Sequence, residues 1–224
     1  MLRRLMLALI LLLPLSALAA TPAAAPEPRL GIDYEVLETP LPTYRPAAGQ
    51  IEIAEVFSYA CIHCAHFQPL VNEWKAKSMP RGTRWEYAPA PMGGVWNNFA
   101  RAFLAAELLG VQAKTHDKVF KAVHEYHQFQ TGSLEEIADY YGKLGVDRNK
   151  FLATMNGPVV EERLEHARRF AVDVSIRGTP TLVINGKYTV LATQDRGFEG
   201  MLQTTEFLIA REKAGQRPAA AGKH

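Results

Sequence analysis

Cysteine is scarce in this chain. Its 224 residues include only two cysteines, Cys61 and Cys64, which lie three positions apart. This excludes a network of disulfides joining distant segments, the usual arrangement in small secreted domains. A bridge between these two residues closes a very short loop and restricts the unfolded chain little. The pair is therefore better suited to chemistry than to holding a fold together, although a purely structural bridge stays open as an alternative.

Long apolar runs are also missing, with one exception near the amino terminus. Arg3 and Arg4 precede an apolar run from Leu5 to Leu15, and Ala17-Leu18-Ala19 supplies the small residues of a cleavage site. The run is shorter than the roughly 20 residues that a membrane-spanning helix needs. The pattern therefore predicts a secretory signal peptide over residues 1–20 rather than a membrane anchor.

The chain has little net charge. Its 25 lysines and arginines and 23 acidic residues give a formal charge of +2. Removal of Arg3 and Arg4 with the signal leaves 23 residues of each sign. Nucleic-acid binding requires a concentrated basic face, and this balance does not indicate one.

The hydrophobic pattern predicts a strand–helix–strand unit, then a helical block, then two strands and a last helix. Asn185-Gly186 is typical of a hairpin turn, Ser133 and Glu136 have the spacing of a capping box, and Pro69 should kink the first helix. The expected strands are residues 33–37, 51–58, 83–88, 181–184 and 187–190, and the expected helices are 62–77, several within 95–174, and 197–212. This order indicates one α/β fold with a helical insertion, preceded by a mobile leader (21–30) and followed by a disordered tail (214–224).

The motif Cys61-Ile62-His63-Cys64 follows directly after the buried strand. Two residues three apart on a helix share one face, within disulfide range of each other. Cys61 begins the helix, where unpaired N–H groups and the helix dipole favour a thiolate. Cys64 lies one turn further in, so we expect Cys61 to attack and Cys64 to resolve. An imidazole at His63 would further stabilise the thiolate and make the disulfide more oxidising.

A metal site is the alternative use of this motif. Two cysteines at this spacing form half of a zinc site, and His63 and His66 place two further ligand types beside them. A second cysteine pair, which would complete such a site, is absent from the sequence. We therefore predict a redox pair and no bound metal or cofactor, and we keep a metal-binding module as the weaker alternative.

Three separated segments resemble the DsbA family of periplasmic thiol–disulfide oxidoreductases. Residues 55–64 resemble the lead-in and redox motif of the family, with an acid six positions before the first cysteine. Pro91-Met92-Gly93-Gly94 resembles the entry to its helical insertion. Arg177-Gly178-Thr179-Pro180 and the hairpin at 183–188 resemble its cis-proline loop. The resemblance extends from about Gly31 to Arg211.

The resemblance implies a thioredoxin fold with an inserted all-helical domain. The thioredoxin-like part would comprise residues 31–94 and 175–213, and the insertion residues 95–174. Pro180 would be cis, and the backbone of Thr179 would pair with an extended substrate beside Cys61.

The resemblance also implies an activity and its partners. A Cys61–Cys64 disulfide would be passed to reduced, unfolded exported proteins in a Gram-negative-type periplasm. A DsbB-type, quinone-linked membrane partner would then restore it, and the protein would act as a monomer. A disulfide isomerase or reductase of the same compartment is the alternative, although little apolar sequence precedes Glu52 that could form the dimerisation domain of an isomerase.

Two departures affect this expectation. Ile62 stands where the best-known members carry proline, and the pair between the cysteines tunes the redox potential. Glu55 shares a strand face with apolar residues, and the resemblance implies a buried acid that moves protons for Cys64. The alternative is a partly exposed carboxylate at the strand end. Relatives often carry a lysine nearby, but this sequence has Glu86 at that register. Either Arg84 substitutes for the lysine or the ion pair is absent, and Glu86 itself is expected to be solvated.

The helical block contains scattered histidines. We interpret them as surface or capping residues rather than as parts of a site. They are His116, His124, His127 and His166.

Overall fold

The computed structural model describes residues 26–215. The predicted signal peptide, the first half of the predicted leader and nearly all of the predicted tail lie outside the described residues. Arg29, near the end of the predicted leader, forms ion pairs with Asp33 at 2.8 Å and with Asp195 at 2.7 Å. The mobility expected of the leader stays a prediction.

A five-stranded mixed sheet forms the centre of the molecule. Only β2 and β3 run parallel, and every other neighbouring pair is antiparallel. In chain order the strands are β1 (Tyr34–Val36), β2 (Ile51–Phe57), β3 (Thr83–Pro89), β4 (Thr181–Ile184) and β5 (Tyr188–Val190). Their spatial order is β1-β5-β4-β2-β3, which places β2 inside the sheet. All five strands lie where the sequence predicted them, to within about two residues.

Seven helices complete the described fold. They are α1 (Ile62–Lys77), α2 (Val95–Leu108), α3 (Gln112–His124), α4 (Leu134–Lys143), α5 (Arg148–Met155), α6 (Pro158–Asp173) and α7 (Gly197–Lys213). Helices α2 to α6 lie between β3 and β4 in the chain, as the predicted helical block does. None of the helices within residues 26–215 is long and apolar enough to cross a membrane.

Local signals explain several of the boundaries. The Ser133 side chain accepts a hydrogen bond from the backbone N–H of Glu136 and so caps α4. Only half of the predicted capping box forms, because the Glu136 carboxylate binds the backbone N–H groups of residues 130–132 instead of returning to Ser133. Asn185 and Gly186 both have positive φ, at 51° and 64°, as the predicted hairpin turn requires. A Cβ on Gly186 would also lie 2.1 Å from the Leu41 carbonyl oxygen.

Helix α1 links the sheet to the helical block. Its inner face is fully buried at Cys64, Phe67 and Val71, and Pro69 lies within the helix without ending it. Phe67 and Val71 pack with the sheet and α7, whereas Cys64 belongs to the hydrophobic cluster of the helical block. Both cysteines lie in that second cluster together with Phe57 and Phe103. The redox motif therefore sits where the two packing units meet.

Candidate redox site

The redox motif begins in a short turn at the end of β2. Cys61 is the N-cap of α1, with an extended backbone, and its N–H donates to the carbonyl of Ser58 at 3.0 Å. The Ser58 hydroxyl also accepts from the N–H of Ala60 at 3.1 Å. This turn places the Cys61 sulfur at the open end of the helix, where the first backbone N–H groups lack helical partners. The structure thus puts Cys61 where the sequence predicted it.

The cis-proline loop faces Cys61. The Thr179–Pro180 peptide bond is cis, as the resemblance implied. The Cys61 sulfur donates to the Thr179 carbonyl oxygen at 3.3 Å. A cleft of about 350 Å³ opens beside this contact, lined by His63, Arg177, Gly178, Thr179, Pro180, Leu191, Ala192 and Phe198. Residues distant in sequence therefore meet at one reactive sulfur.

The pKa values of the two cysteines are shifted in opposite directions. Both are free thiols in this structure; Cys61 is 7% exposed and Cys64 is fully buried. A hydrogen bond from the Cys64 thiol, with smaller contributions from the Thr179 side chain and the N–H groups of Cys64 and His63, outweighs burial and lowers the Cys61 pKa to about 5. Burial raises the Cys64 pKa well above its usual value, and the neighbouring Cys61 thiol and Glu55 add to the rise. At neutral pH, Cys61 is a thiolate and Cys64 a thiol.

The side chains between the cysteines point outward. Ile62 is 41% exposed and His63 is also exposed. His63 lowers the Cys61 pKa through its backbone N–H, whereas the prediction rested on its imidazole. The imidazole instead lines the cleft beside Pro180.

Glu55 is an isolated acid inside the protein. It is fully buried, and neither carboxylate oxygen has a hydrogen-bond partner. Burial raises its pKa to about 8, opposed mainly by the charge of Lys75. The indole of Trp85 lowers the pKa slightly, although its N–H makes no hydrogen bond of normal geometry. Glu55 is therefore mostly protonated at pH 7, close to both cysteines.

Lys75 supplies the positive charge near Glu55, and the sequence did not reveal it. It projects from α1, and its ammonium lies 5.1 Å from the ring centre of Tyr87 and 5.9 Å from that of Trp85. Tyr87 is the direct neighbour of Glu55 across the β2–β3 ladder. Burial lowers the pKa of Lys75, and the charges of Glu55, Asp117 and Glu86 oppose that change.

Arg84 does not substitute for the missing lysine. Its guanidinium pairs with Glu52 at 2.6 Å, on the opposite face of β2 from Glu55. It also binds Glu86 at 2.9 Å. The Glu86 side chain is only 22% exposed, so the expectation that Glu86 is solvated was wrong. The alternation of side chains along a strand explains the outcome, because positions 84 and 86 share one face while Glu55 faces position 87.

We expect Lys75→Met to raise the pKa of Glu55 further, by up to about one unit, because a nearby positive charge that favours the carboxylate is removed. Carbon-detected NMR titration of the carboxyl group measures this directly. Lys77→Met is the matched control, since Lys77 lies on the same helix but pairs with Glu73 in solvent. An unchanged Glu55 titration in the Lys75 variant would contradict the assignment of Lys75 as its counter-charge.

Two of the four histidines were misread from the sequence. His116 is 4% exposed and bonds the Tyr59 hydroxyl, with 2.7 Å between Nδ1 and the oxygen. His124 is half-buried and bonds the Tyr59 carbonyl through Nε2 at 2.8 Å. His127 is exposed, as predicted, and His166 is exposed but bonds the Tyr44 carbonyl. The spacing of residues along α3 could not predict the contacts of His116 and His124, because their partner, Tyr59, lies in the turn before α1.

The ligands that a metal site would need do not converge. Within residues 26–215, no three His, Cys, Asp or Glu side chains are grouped so that they could hold a metal ion. The weaker alternative for this motif therefore gains no support from the geometry.

A thiolate at a helix start, one turn from a buried thiol, can exchange disulfides with another molecule. On this fold, that chemistry defines a thioredoxin-like thiol–disulfide oxidoreductase. Residues 52–199 match the family described as the DSBA-like thioredoxin domain. The chain belongs to the DsbA family.

Individual relatives agree with this assignment. The thiol:disulfide interchange protein DsbA of Pseudomonas aeruginosa is 35% identical over 206 residues, covering 92% of this chain and 96% of that protein. The protein of the same name from Azotobacter vinelandii is 34% identical over 188 residues, covering 84% and 86%. The crystal structure of the oxidoreductase DsbA from Xylella fastidiosa is 41% identical with a TM-score of 0.78, covering 84% of this chain and 98% of that one.

Proposed function

We propose that this oxidoreductase is exported to the periplasm and acts there as a dithiol oxidase, with Cys61 as the exchanging cysteine and Cys64 as the resolving one. The main support is that the pKa of Cys61 is lowered while that of Cys64 is raised. A thiolate at Cys61 that is stable at neutral pH favours the reduced enzyme, and so makes the oxidised enzyme a strong electron acceptor. The sequence pattern at residues 1–20 supports export.

The exchange proceeds in two steps. A client thiolate attacks the Cys61 sulfur of the Cys61–Cys64 disulfide, so a mixed disulfide forms at Cys61 and Cys64 leaves. A second client thiolate then attacks the client sulfur of the mixed disulfide and releases Cys61 as a thiolate. The client loses two electrons and gains one disulfide, and the enzyme becomes reduced. The low pKa of Cys61 makes it a good leaving group in the second step.

Glu55 supplies the proton that the leaving Cys64 requires. Its pKa of about 8 keeps it mostly protonated at pH 7, and its charge acts on the Cys64 thiol. A carboxyl group with a pKa near the working pH is well matched to proton transfer. Lys75 limits the rise of that pKa and thereby keeps Glu55 able to release its proton.

The cleft beside Pro180 accommodates the client. The Thr179 carbonyl lies next to Cys61, so an extended client segment can pair with the backbone there as an added strand. Leu191, Ala192 and Phe198 offer apolar contacts of low selectivity on the cleft wall.

We propose reduced, unfolded exported proteins as clients, a DsbB-type membrane protein as the reoxidant, and a monomeric enzyme. We also propose residues 31–94 and 175–213 as the thioredoxin-like domain and 95–174 as its insertion.

Cysteine variants test the roles of the pair. Oxidised wild-type protein is expected to oxidise a reduced, unfolded disulfide protein, whereas Cys61→Ala should lose that activity completely. At pH 6, reduced wild-type protein should also be alkylated about tenfold faster than an ordinary thiol, because its larger thiolate fraction outweighs its lower nucleophilicity. Cys61→Ala should lose this fast reaction, and Cys64→Ala should retain part of it.

Two results would reject the proposal. Oxidase activity that survives in Cys61→Ala would exclude Cys61 as the exchanging residue. A redox potential near that of thioredoxin, about −270 mV, would favour a reductase over an oxidase.

A further inference from the structure

Helix α3 of the helical block holds the residue that leads into the redox turn. The hydroxyl of Tyr59 lies 2.7 Å from His116 Nδ1, and its carbonyl oxygen lies 2.8 Å from His124 Nε2. These two histidines are eight positions apart, about two helical turns, so they lie along the same side of α3. One tyrosine is thus bound at both its side chain and its backbone by a single helix.

The ring of Tyr59 is also enclosed. It is 1% exposed, and its centre lies 5.4 Å from that of Phe57 and 5.0 Å from that of Phe120, both in edge-to-face geometry. Pairs of this geometry are favourable, because the positive edge of one ring meets the negative face of the other. Tyr59 precedes Cys61 by two residues, within the turn in which the Cys61 N–H binds the Ser58 carbonyl.

We propose that His124 and His116 are positioning residues of the redox site, which hold Tyr59 and, through it, the turn that presents the Cys61 sulfur. The inference rests on the proposed function of Cys61 as the exchanging thiol. The thiolate is stabilised mainly by a hydrogen bond from the Cys64 thiol, and to a lesser extent by the Thr179 side chain and the backbone N–H groups of Cys64 and His63. These contacts weaken steeply when the sulfur moves out of line.

The hydrogen bonds of His116 have a defined direction. Burial lowers the His116 pKa to about 3, so the ring is neutral at pH 7 and one nitrogen must accept. Nδ1 accepts from the Tyr59 hydroxyl, and Nε2–H then donates to the Gln68 side-chain oxygen, 3.3 Å away. The Gln68 amide donates onward to the exposed Asp117 carboxylate at 3.1 Å. The chain of donors thus runs from the Tyr59 hydroxyl through His116 and Gln68 to the surface.

His124 offers the cleaner test, because it is half-buried, whereas His116 is only 4% exposed. It lines a cleft of about 380 Å³ between α1 and α3, whose charged and titratable groups are His66, Asp117, Lys121, His124 and Glu125. Glutamine at position 124 would place an amide N–H at nearly the reach of histidine Nε2, without the possibility of a positive charge. Leucine would remove the donor altogether.

The experiment measures the Cys61 pKa by thiolate absorbance in reduced full-length protein. In His124→Leu we expect this pKa to rise by about one unit, equivalent to the loss of about one well-aligned hydrogen bond to the thiolate. His124→Gln should restore a value within about 0.3 units of the wild type. His66→Leu is the matched control, since it removes an imidazole from the same cleft that makes no hydrogen bond to Tyr59, and it should change nothing.

Several outcomes would overturn the inference. An unmoved pKa in His124→Leu would show that the contact does not position the sulfur. Equal rises in His124→Leu and His124→Gln would mean that imidazole charge, rather than a hydrogen bond, acts on Cys61. If His124→Leu does not fold, Tyr59→Phe tests the hydroxyl contact alone, and an unchanged pKa there would reject the role of His116. A wild-type Cys61 pKa near 9 would reject the proposed function itself, which separates the two failures.

Discussion

Replacing Glu55 with leucine is expected to raise the free energy of unfolding of the reduced protein by about 3 kcal/mol at pH 7. Burial raises the pKa of this carboxyl group from 4.5 to about 8. Folding at pH 7 must therefore protonate a group that is ionised in the unfolded chain. The carboxyl group also lacks hydrogen-bond partners, so its removal leaves none unsatisfied. An acid placed for proton transfer is destabilising at this position.

The sign of the pH dependence follows from the same shift. Below the unfolded pKa of 4.5 the carboxyl group is protonated in both states, so the protein has its full stability there. Stability is then lost as pH rises from 4.5 towards the folded pKa of about 8. Urea unfolding from pH 4.5 to 8 should show this loss in wild-type protein and not in Glu55→Leu. Glu55→Gln controls for the change in polarity, because it also abolishes the titration. A Glu55→Leu protein that is less stable than wild type at pH 7 would contradict the account.

The reduced protein is expected to be more stable than the oxidised protein at pH 7, which is the reverse of the usual effect of a disulfide. The Cys61 pKa of about 5 means that the folded, reduced protein holds a thiolate that the unfolded chain at pH 7 does not. The Cys61 pKa lies about two units below pH 7, so the thiolate stabilises the folded, reduced protein by about 2.7 kcal/mol. Solvent at the mouth of the site reduces this free energy to about 2 kcal/mol. The short loop between the cysteines offers little entropic stabilisation in return.

This difference should also depend on pH. A lowered folded pKa contributes stability above the unfolded value near 9, and the contribution is lost as pH falls towards 5. Urea unfolding of both redox forms at pH 5 and pH 7 measures it. A reduced form less stable than the oxidised form at pH 7 would show that the protein is not poised as an oxidant.

Local signals in the sequence were sufficient for the elements that carry the redox pair. The hydrophobic pattern of residues 51–57, the cysteine at the following helix start and the Asn185-Gly186 turn each act within a few residues. Their consequences could therefore be read directly from sequence. The same is true of the cap at Ser133. The cis bond before Pro180 was expected only from the resemblance, because most peptide bonds before proline are trans.

Contacts between distant elements could not be read in this way. Lys75 lies fourteen positions after Cys61, and only the crossing of α1 over β3 brings it above Tyr87 beside Glu55. Likewise, His116 looks like any polar residue on an amphipathic helix until α3 packs over Tyr59. Such partners depend on how helices cross the sheet, and residue spacing within one element carries no information about that.

The helical block packs directly against the redox pair. Cys61 and Cys64 share one hydrophobic cluster with residues of α2, α3 and α4. The turn before Cys61 is fixed from α3, while Thr179 approaches the sulfur from the other side, just before β4. Changes in the packing of the block should accordingly alter the acidity of Cys61 as well as the stability of the protein.

Titration of the Cys61 thiolate in the reduced wild-type protein, followed by absorbance against pH, tests the central claim most directly. We predict a single transition with a pKa of about 5, and no second thiolate from Cys64 until well above pH 9. A first transition near the ordinary thiol value of about 8.5 would contradict it, because the oxidising power assigned to the pair would then have no physical source.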